Sequence, residues 1–343
     1  MFIFLHHRCP LNLKISAYYT NRWSEYNYLL APIVARIKEV LTIKLFVIGN
    51  GFDIDHHVKS EYWRFKEFLE KNFGTVSYMP YPCITQMPDG DEKSDLKTDA
   101  HIMYRLIEDI APKSDWSTFE EDLGELQYDT LVDLSQNDDD DDIYRQIHNN
   151  EDLAAAYATS FKSFSLLFSR WAKDIDISNI VAMEKYTNVF SDDCLFLTFN
   201  YTNVLEALYG IPRNRICHVH GEIGETLIFG HHNKDKPIDD DLMYGNANIV
   251  FDRMHQSLYK DTRQCIMNHL NFFKKIAEVD EIYFLGWKMS EVDEEYLECI
   301  SKTLNGKGIS VHFTKYDEKK KTIKEKTDKL QKYKINFALA NNI

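Results

Sequence analysis

Short apolar runs alternate along the chain with longer amphipathic stretches. The short runs are rich in β-branched and aromatic residues and predict buried strands at residues 44–48, 194–199, 216–220, 226–229, 281–285 and 309–313. In the longer stretches apolar residues recur every three or four positions, which is typical of helices that pack by one face. These stretches are residues 61–73, 100–110, 115–134, 153–175, 202–209, 253–278 and 317–332.

The order of these elements predicts the fold class. Strands that alternate with helices favour an α/β protein with a Rossmann-like parallel sheet flanked by helices. We expect residues 44–343 to form one such domain, with a mainly helical insertion at about 60–190 after the first strand. Residues 1–43 precede the first convincing strand, and we interpret them as an N-terminal extension with a helix at 30–41.

Three polar segments carry more local predictions. Ser60 is the expected N-cap of the helix at 61–73. Ser290 and Asp293 together resemble a capping box for the helix that ends at Leu304. The five consecutive aspartates Asp138–Asp142 repel one another, so we expect a solvated loop there, with a calcium site as the alternative.

A glycine turn follows the first strand, in the stretch KLFVIGNGFD. Gly49 and Gly51 allow positive φ and the close approach of a ligand. A polar stretch should follow the turn and lead to the helix near Ser60. In α/β proteins a strand that runs through a glycine turn towards a helix commonly binds phosphate, because backbone N–H groups point outwards there. A turn without a ligand is the alternative interpretation.

Two polar side chains follow two further predicted strands. Asn200 ends the strand at 194–199 and His220 ends the strand at 216–220. In a parallel sheet both strand ends lie at the carboxyl edge, where ligands bind. Asn offers one acceptor and two donors, and a histidine with an ordinary pKa near 6.5 can act as a base. We expect both to face a ligand held at the glycine turn, although His220 alone could be a satisfied polar residue.

Composition narrows the function classes. The net charge of −14 and the pI near 5.4 argue against direct nucleic-acid binding and against an anionic membrane surface. No apolar run approaches the roughly 20 residues of a membrane span, and the N-terminus lacks a signal-peptide pattern. The six cysteines form no CxxC pair, which fits a reducing compartment. We therefore expect a cytoplasmic protein without a zinc ribbon.

Several segments occur in an order that resembles a known family. They are IGNGFD, DWSTFEEDLG, LTFNYTNVLE, HVHGE, IFGHHN and LGWKMSEVD. Together they resemble the AbiH family of bacteriophage abortive infection proteins over residues 44–315. The resemblance implies an anti-phage effector that binds a nucleotide. It also implies a phage-derived trigger or a partner protein of the defence system, and it leaves a homo-oligomer as an expectation.

The same segments are more remotely similar to the SIR2-like fold of sirtuins. Those proteins bind NAD with a glycine loop of the form GAGxS, a T-x-N-x-D segment and a catalytic His-Gly pair. By this resemblance His220 and Asn200 are the expected catalytic residues. The expected NAD-binding residues are Gly49, Asn50, Gly51, Phe52, Asp53, Thr198, Thr202, Gly221, Gly230, His231 and Gly286.

Departures from the sirtuin pattern change the expected reaction. Asn50 replaces a small residue, Asp53 a hydroxyl residue and Thr202 an acid, and the zinc cysteines are absent. These differences disfavour a deacylase and leave hydrolysis of the nicotinamide–ribose bond, with no metal expected. Asn200 would hold the ribose and the water, and His220 would be the base. Asp53 would fix a ribose hydroxyl or simply cap the turn.

Two other classes of protein fit some of the same residues. GNG, HVHG and GHHN are similar to the GNH and GHxH segments of metallophosphoesterases, although the early DxH and GD segments of that class are missing. The chain could also bind a nucleotide as a sensor without catalysis and contact a phage or toxin partner. Metal in the purified protein would favour the phosphoesterase, and tight nucleotide binding without turnover would favour the sensor.

Overall fold

A six-stranded sheet forms the centre of the computed structural model, which describes residues 42–87, 91–110, 119–133, 143–234 and 244–343. All its strand pairs are parallel and the spatial order is β5-β4-β1-β6-β7-β8. Its strands are β1 Lys44–Ile48, β4 Cys194–Thr198, β5 Ile216–His218, β6 Glu281–Leu285, β7 Ile309–His312 and β8 Phe337–Leu339. A separate antiparallel hairpin contains β2 Ile84–Gln86 and β3 Glu92–Ser94.

The strand order confirms the predicted fold class. Numbered within the large sheet alone, the order is 3-2-1-4-5-6, which is the doubly wound order of Rossmann folds. Two strand predictions need correction. Residues 226–229 form no strand, because the segment is joined to the end of β5 by a single backbone bond, from Ile228 N to His220 O at 2.9 Å. The hairpin and β8 were not predicted, since short half-exposed strands carry little apolar signal.

Helices surround the sheet and fill the connections. They are α1 Asn50–Asp55, α2 Trp63–Phe73, α3 Leu96–Ile110, α4 Phe119–Asp122, α5 Asp129–Asp133, α6 Ile143–Phe161, α7 Phe164–Lys173, α8 Glu184–Thr187, α9 Val204–Tyr209, α10 Ala247–Ser257, α11 Thr262–Asn268, α12 Leu270–Lys275, α13 Glu294–Leu304, α14 Lys315–Lys320 and α15 Ile323–Lys332. Among the described residues, no helix is long and apolar enough to cross a membrane.

Several predicted helices are divided in the structure. The stretches at 153–175, 253–278 and 317–332 each contain a break. In the first two stretches periodicity does not reveal the breaks, because the segments on both sides still bury apolar residues. In the stretch at 115–134, a 3-10 turn at Leu123–Glu125 separates α4 from α5. Its middle residue, Gly124, is a weak helix former. The predictions for residues 30–41, 115–118 and Asp138–Asp142 lie outside the described residues.

The helices between β1 and β4 build an apolar core of their own. Phe65, Phe168 and Trp171 lie at its centre, with ring centroids 5.1 to 5.5 Å apart. Phe251 of α10, which comes later in the chain, joins the same cluster. The division into an extension and one domain with an insertion stays a prediction.

β1 positions the carboxyl edge of the sheet. Its residues 45–48 are fully buried, and it pairs with β4 on one side and β6 on the other. Ile48 lies opposite Thr198 and Leu285 in the two registers. The residues that follow these three strands therefore leave the sheet at the same level. In doubly wound sheets ligands bind at the carboxyl edge where the strand order reverses, which here is between β1 and β6.

Candidate functional site

The glycine turn after β1 packs directly against the turn after β6. Gly49 N donates to Leu285 O and Gly51 N donates to Gly286 O, both at 3.0 Å. A Cβ on Gly51 would lie only 2.7 Å from the Gly286 Cα, so the absence of a side chain allows the two backbones to touch. The structure thus uses these glycines for close packing, and two N–H groups of the turn already have backbone acceptors.

The chain enters helix α1 immediately after Gly49, and this corrects two predictions. The expected polar stretch before the helix is wrong, since α1 begins at Asn50. Ser60 is not the N-cap of α2, because Tyr62 occupies that position without a side-chain cap bond. Instead Ser60 Oγ donates to Asn50 Oδ1 at 2.5 Å, and Asn50 Nδ2 donates to Ser60 O at 3.1 Å. Asn50 therefore holds the segment that connects α1 to α2.

Three side chains that the sequence singled out form one buried group, which we call the Asp53 group: Asp53, Asn200 and Thr202. Asn200 Nδ2 donates to Asp53 Oδ1 at 2.8 Å and to Gly49 O at 3.2 Å. Thr202 Oγ1 donates to Asp53 Oδ2 at 2.6 Å. Thr198 orients the loop, because its Oγ1 accepts a bond from Asn200 N at 3.1 Å. The group joins α1 to the loop after β4.

The environment of Asp53 changes its acidity. Burial raises its pKa from 3.8 to about 6, while the hydrogen bonds from Thr202 and Asn200 and the charge of His218 oppose this rise. Among the described residues, no lysine or arginine forms an ion pair with the Asp53 carboxylate. Its stabilising partners are therefore neutral donors. With a pKa of about 6, the carboxylate can gain or lose a proton close to neutral pH.

The amide of Asn200 has a defined orientation. Both groups that contact Nδ2 are acceptors, so the nitrogen must face Asp53 and Gly49. Within the described parts of the chain, no group donates a hydrogen bond to the amide oxygen of Asn200. That oxygen can accept a hydrogen bond from a ligand hydroxyl or from water.

The histidine that contacts Asn200 is His218, a residue that the sequence analysis did not select. His218 Nδ1 lies 3.1 Å from Asn200 O, and Nε2 lies 3.0 Å from Glu206 Oε1 and 3.8 Å from Glu222 Oε2. Burial raises the pKa of Glu206, but His218 and Arg213 more than offset this, so the pKa lies below its ordinary value. The HVHGE segment could have suggested His218, since it lies two residues before His220 at the end of β5.

His220 lies in a second buried polar group. Its Nε2 is 3.0 Å from Tyr296 OH and 3.9 Å from Asp293 Oδ1, and its ring packs edge-on against Phe199. Burial, followed by the charge of Lys260, lowers the pKa of His220 well below 6.5. His220 is therefore neutral at pH 7, and a base with so low a pKa is weak. The role of His220 as a catalytic base stays a prediction.

Lys260 neutralises this second group, which we call the Lys260 cluster: Glu120, Lys260 and Asp293. Lys260 Nζ lies 2.8 Å from Glu120 Oε2 and 3.1 Å from Asp293 Oδ1. Burial lowers the pKa of Lys260, but the two carboxylates more than offset this effect and the pKa lies above its ordinary value. The predicted capping box is wrong, because neither Ser290 nor Asp293 makes a side-chain cap bond. Asp293 is instead committed to Lys260 and to Trp287 Nε1, at 3.3 Å.

The remaining predicted ligand residues have mainly packing contacts. Phe52 is buried between the rings of His56 and Tyr186. Gly221, Gly230 and Gly286 have positive φ, and a Cβ on any of them would collide with backbone atoms. His231 packs against the His255 ring at 4.0 Å, and burial lowers its pKa to about 4. Its Nε2 lies 3.0 Å from His255 O.

The strand order defines a Rossmann-like α/β protein. The family model described as bacteriophage abortive infection AbiH matches residues 45–315, so the chain belongs to this family. Membership indicates a role in abortive infection, a defence against bacteriophage. No curated protein and no solved structure is significantly similar to the chain.

Five of the six segments that carry the family resemblance contribute residues to the two buried groups or to their surroundings. IGNGFD and LTFNYTNVLE supply the Asp53 group, whereas DWSTFEEDLG, HVHGE and LGWKMSEVD supply residues in and around the Lys260 cluster. Sequence reasoning missed the roles of Glu120 and Lys260. Lys260 lies in a loop with no recognisable motif, so no local pattern indicates its burial.

Proposed function

We propose that this protein is an anti-phage effector that binds NAD at the Asp53 group and hydrolyses the nicotinamide–ribose bond. The observation that carries the proposal is the contact of Asn200 with both Asp53 and Gly49, at the carboxyl edge between β1 and β4. Doubly wound sheets bind dinucleotides beside this position. Loss of NAD would halt the infected cell, in keeping with an abortive infection role.

The proposed reaction requires few protein groups. Water attacks C1′ of the ribose, the C1′–N bond breaks, and the electron pair neutralises the pyridinium nitrogen of nicotinamide. The products are nicotinamide, ADP-ribose and one proton. The transition state resembles an oxocarbenium ion, so a nearby carboxylate stabilises it and a hydrogen-bond acceptor positions the water.

The Asp53 group contains groups of both kinds. Asp53, with a pKa of about 6, is mostly ionised at neutral pH and can accept a proton from water or a hydrogen bond from a ribose hydroxyl. Asn200 presents its amide oxygen as a second acceptor, because its nitrogen is already bound to Asp53 and Gly49. We assign binding of the ribose to Asn200 and stabilisation of the reacting centre to Asp53. His220, neutral and in contact with Tyr296, is tested alongside them.

The test is nicotinamide release from NAD by the purified full chain, followed by chromatography. We expect Asp53→Asn and Asn200→Ala to lower the rate on the order of 100-fold, as for loss of a group that stabilises a transition state. Asn72→Ala is the matched control, because Asn72 is exposed and its side chain donates to Phe68 O of its own helix. His220→Ala tests the predicted base: an unchanged pH profile would remove it from that role.

A resting effector needs its trigger, so the same variants are also compared in cells sampled after phage infection. Loss of NAD in cells with the wild type, and its survival in cells with Asp53→Asn, would support the proposal. NAD that stays intact in both settings would overturn hydrolysis. Tight NAD binding in that case would identify the sensor that the sequence left as the alternative.

A further inference from the structure

We propose that Glu206, His218 and Glu222 form a site for a divalent transition-metal ion. One ligand atom from each residue lies within 4.8 Å of the other two. The His218 side chain is nine-tenths buried, and the Glu206 and Glu222 side chains are 19 % and 13 % exposed. Imidazole with carboxylates suits Zn²⁺, Mn²⁺ or Fe²⁺ rather than Ca²⁺ or Mg²⁺. The inference concerns metal binding alone and does not depend on NAD hydrolysis.

The orientation of His218 points to a cation. Asn200 O can only accept a hydrogen bond, so His218 Nδ1, 3.1 Å away, carries a proton. Nε2 then faces Glu206 Oε1 at 3.0 Å and Glu222 Oε2 at 3.8 Å. Two carboxylates around a nitrogen lone pair repel it unless a positive charge lies between them. A backbone carbonyl on the other ring nitrogen is also the usual support of a metal-binding histidine.

The spacing of the ligand atoms suits a small ion. With metal–ligand bonds near 2.1 Å, neighbouring ligands lie about 3.0 to 3.4 Å apart in octahedral or tetrahedral geometry. Of the two distances from His218 Nε2, 3.0 Å lies at the lower end of that interval and 3.8 Å lies above it, so a small movement of Glu222 would close the site. A second observation supports it: Glu206 Oε2 is buried and has no hydrogen-bond partner among the described residues.

Other charged groups near the site leave it a net acceptor of positive charge. Arg213 pairs with Glu222 Oε1, which leaves Oε2 facing His218. His269 interacts electrostatically with both Glu225 and His218. The two carboxylates and the one arginine therefore sum to a charge of −1 around Nε2. Three protein ligands would leave further coordination positions for water, as in catalytic zinc sites.

The test titrates metal-free full-length protein with Zn²⁺ by calorimetry. We expect one ion per chain, with affinity reduced about tenfold or more in His218→Asn and in Glu206→Gln. His312→Asn is the matched control. His312 Nδ1 likewise faces a carbonyl, Asn341 O at 2.9 Å, but among the described residues a single carboxylate, that of Glu281 at 3.6 Å, pairs with Nε2. Circular dichroism verifies the folding of each variant.

X-ray absorption at the zinc edge of the wild type decides the result even if a variant does not fold. One imidazole with oxygen ligands is expected, and sulfur ligands or two imidazoles would overturn the proposal. Failure to bind Zn²⁺, Mn²⁺ or Fe²⁺, with both ring nitrogens of His218 protonated by ¹⁵N NMR, would also overturn it. In that outcome a proton supplies the positive charge. Equal affinity in the wild type and both site variants would place the metal elsewhere.

Discussion

Two groups of buried acidic residues near the carboxyl edge of the sheet are stabilised in different ways. In the Lys260 cluster, Glu120 and Asp293 share a lysine that is 1 % exposed. In the Asp53 group, a carboxylate that is also 1 % exposed is held by the amide of Asn200 and the hydroxyl of Thr202. A buried charge is costly unless it is paired, and hydrogen bonds from neutral donors compensate it less than a full opposite charge.

Under the proposed function, the difference separates a structural role for the Lys260 cluster from a ligand-binding role for the Asp53 group. The Lys260 cluster ties α4, the loop after α10 and the loop after β6 together, which serves stability. Burial raises the pKa of Glu120 as well, but the charge of Lys260 opposes that rise. Among the described residues no lysine or arginine pairs with Asp53, whose pKa rises to about 6. Strongly shifted groups of this kind concentrate at functional sites, where a ligand supplies the missing interaction. The following substitutions test that distinction.

Lys260→Met should have the largest effect on stability. It leaves Glu120 and Asp293 buried without their cation, and such a change typically lowers the free energy of unfolding by about 3–5 kcal/mol. Chemical denaturation measures the loss. Lys302→Met is the control, since Lys302 is 72 % exposed in its pair with Glu298 and surface changes stay within about 0.5 kcal/mol. Equal stability of the two variants would mean that Lys260 does not stabilise Glu120 and Asp293.

Asp53→Asn should become more stable relative to the wild type as pH rises. The folded state binds the Asp53 proton more tightly than the unfolded state, with a pKa of about 6 against 3.8. Wild-type stability from this group is therefore present below pH 3.8 and lost as pH rises to about 6. The loss is at most about 3 kcal/mol. An asparagine has no proton to lose there, and it can still accept from Asn200 and donate to Thr202.

The measurement is denaturation of both proteins from pH 4 to pH 7.5. The stability of Asp53→Asn relative to the wild type should increase across this range. A difference that is constant, or that falls with pH, would mean that burial does not raise the pKa of Asp53.

Thr202→Val tests how much the hydroxyl of Thr202 stabilises the Asp53 carboxylate. It removes a donor 2.6 Å from the buried carboxylate and should cost about 1–3 kcal/mol at pH 7. Because the hydrogen bond from Thr202 lowers the pKa of Asp53, that pKa should rise further in the variant. Carboxyl NMR titration measures it. Thr327→Val is the control, since Thr327 is partly exposed and its hydroxyl donates to Lys324 O of its own helix. An unchanged Asp53 pKa would argue against the role of Thr202.

Gly51→Ala should have the smallest effect, about 1 kcal/mol of destabilisation. A Cβ there would lie 2.7 Å from the Gly286 Cα, and overpacking of this kind costs about 1–3 kcal/mol, while alanine in a helix returns up to about 1 kcal/mol. Gly308→Ala provides the comparison, because its nearest neighbour would be 3.4 Å away, at the side chain of Asn336. If Gly51→Ala were the more stable variant, the two turns would not pack tightly.

Much of the sheet could be predicted from the sequence. Buried strands such as β1 and β6 are continuous apolar runs, and their alternation with helices implies parallel pairing. The Asp53 group could also be predicted in part, since Asp53, Asn200 and Thr202 each lie just past a strand end. The pairing of Asn200 with Asp53 could not, because it depends on the register that places Ile48 opposite Thr198.

The Lys260 cluster was beyond sequence reasoning for a different reason. A lysine in a loop is normally exposed, and only tertiary structure brings Glu120 and Asp293 to it from 140 and 33 residues away. Asp293 also fitted a local capping pattern, which favoured the wrong interpretation. His218 and His220 share one segment, but only the structure shows that His218 reaches Asn200 while His220 reaches Tyr296.

The affinity for NAD as a function of pH, measured by calorimetry on the wild type and on Asp53→Asn, tests the central claim most directly. If the Asp53 carboxylate receives hydrogen bonds from the ribose, wild-type affinity should rise as pH increases through about 6. The variant should bind more weakly and show no such step. Equal affinity and equal pH dependence in the two proteins, or no binding of NAD by the wild type at any pH, would contradict the account.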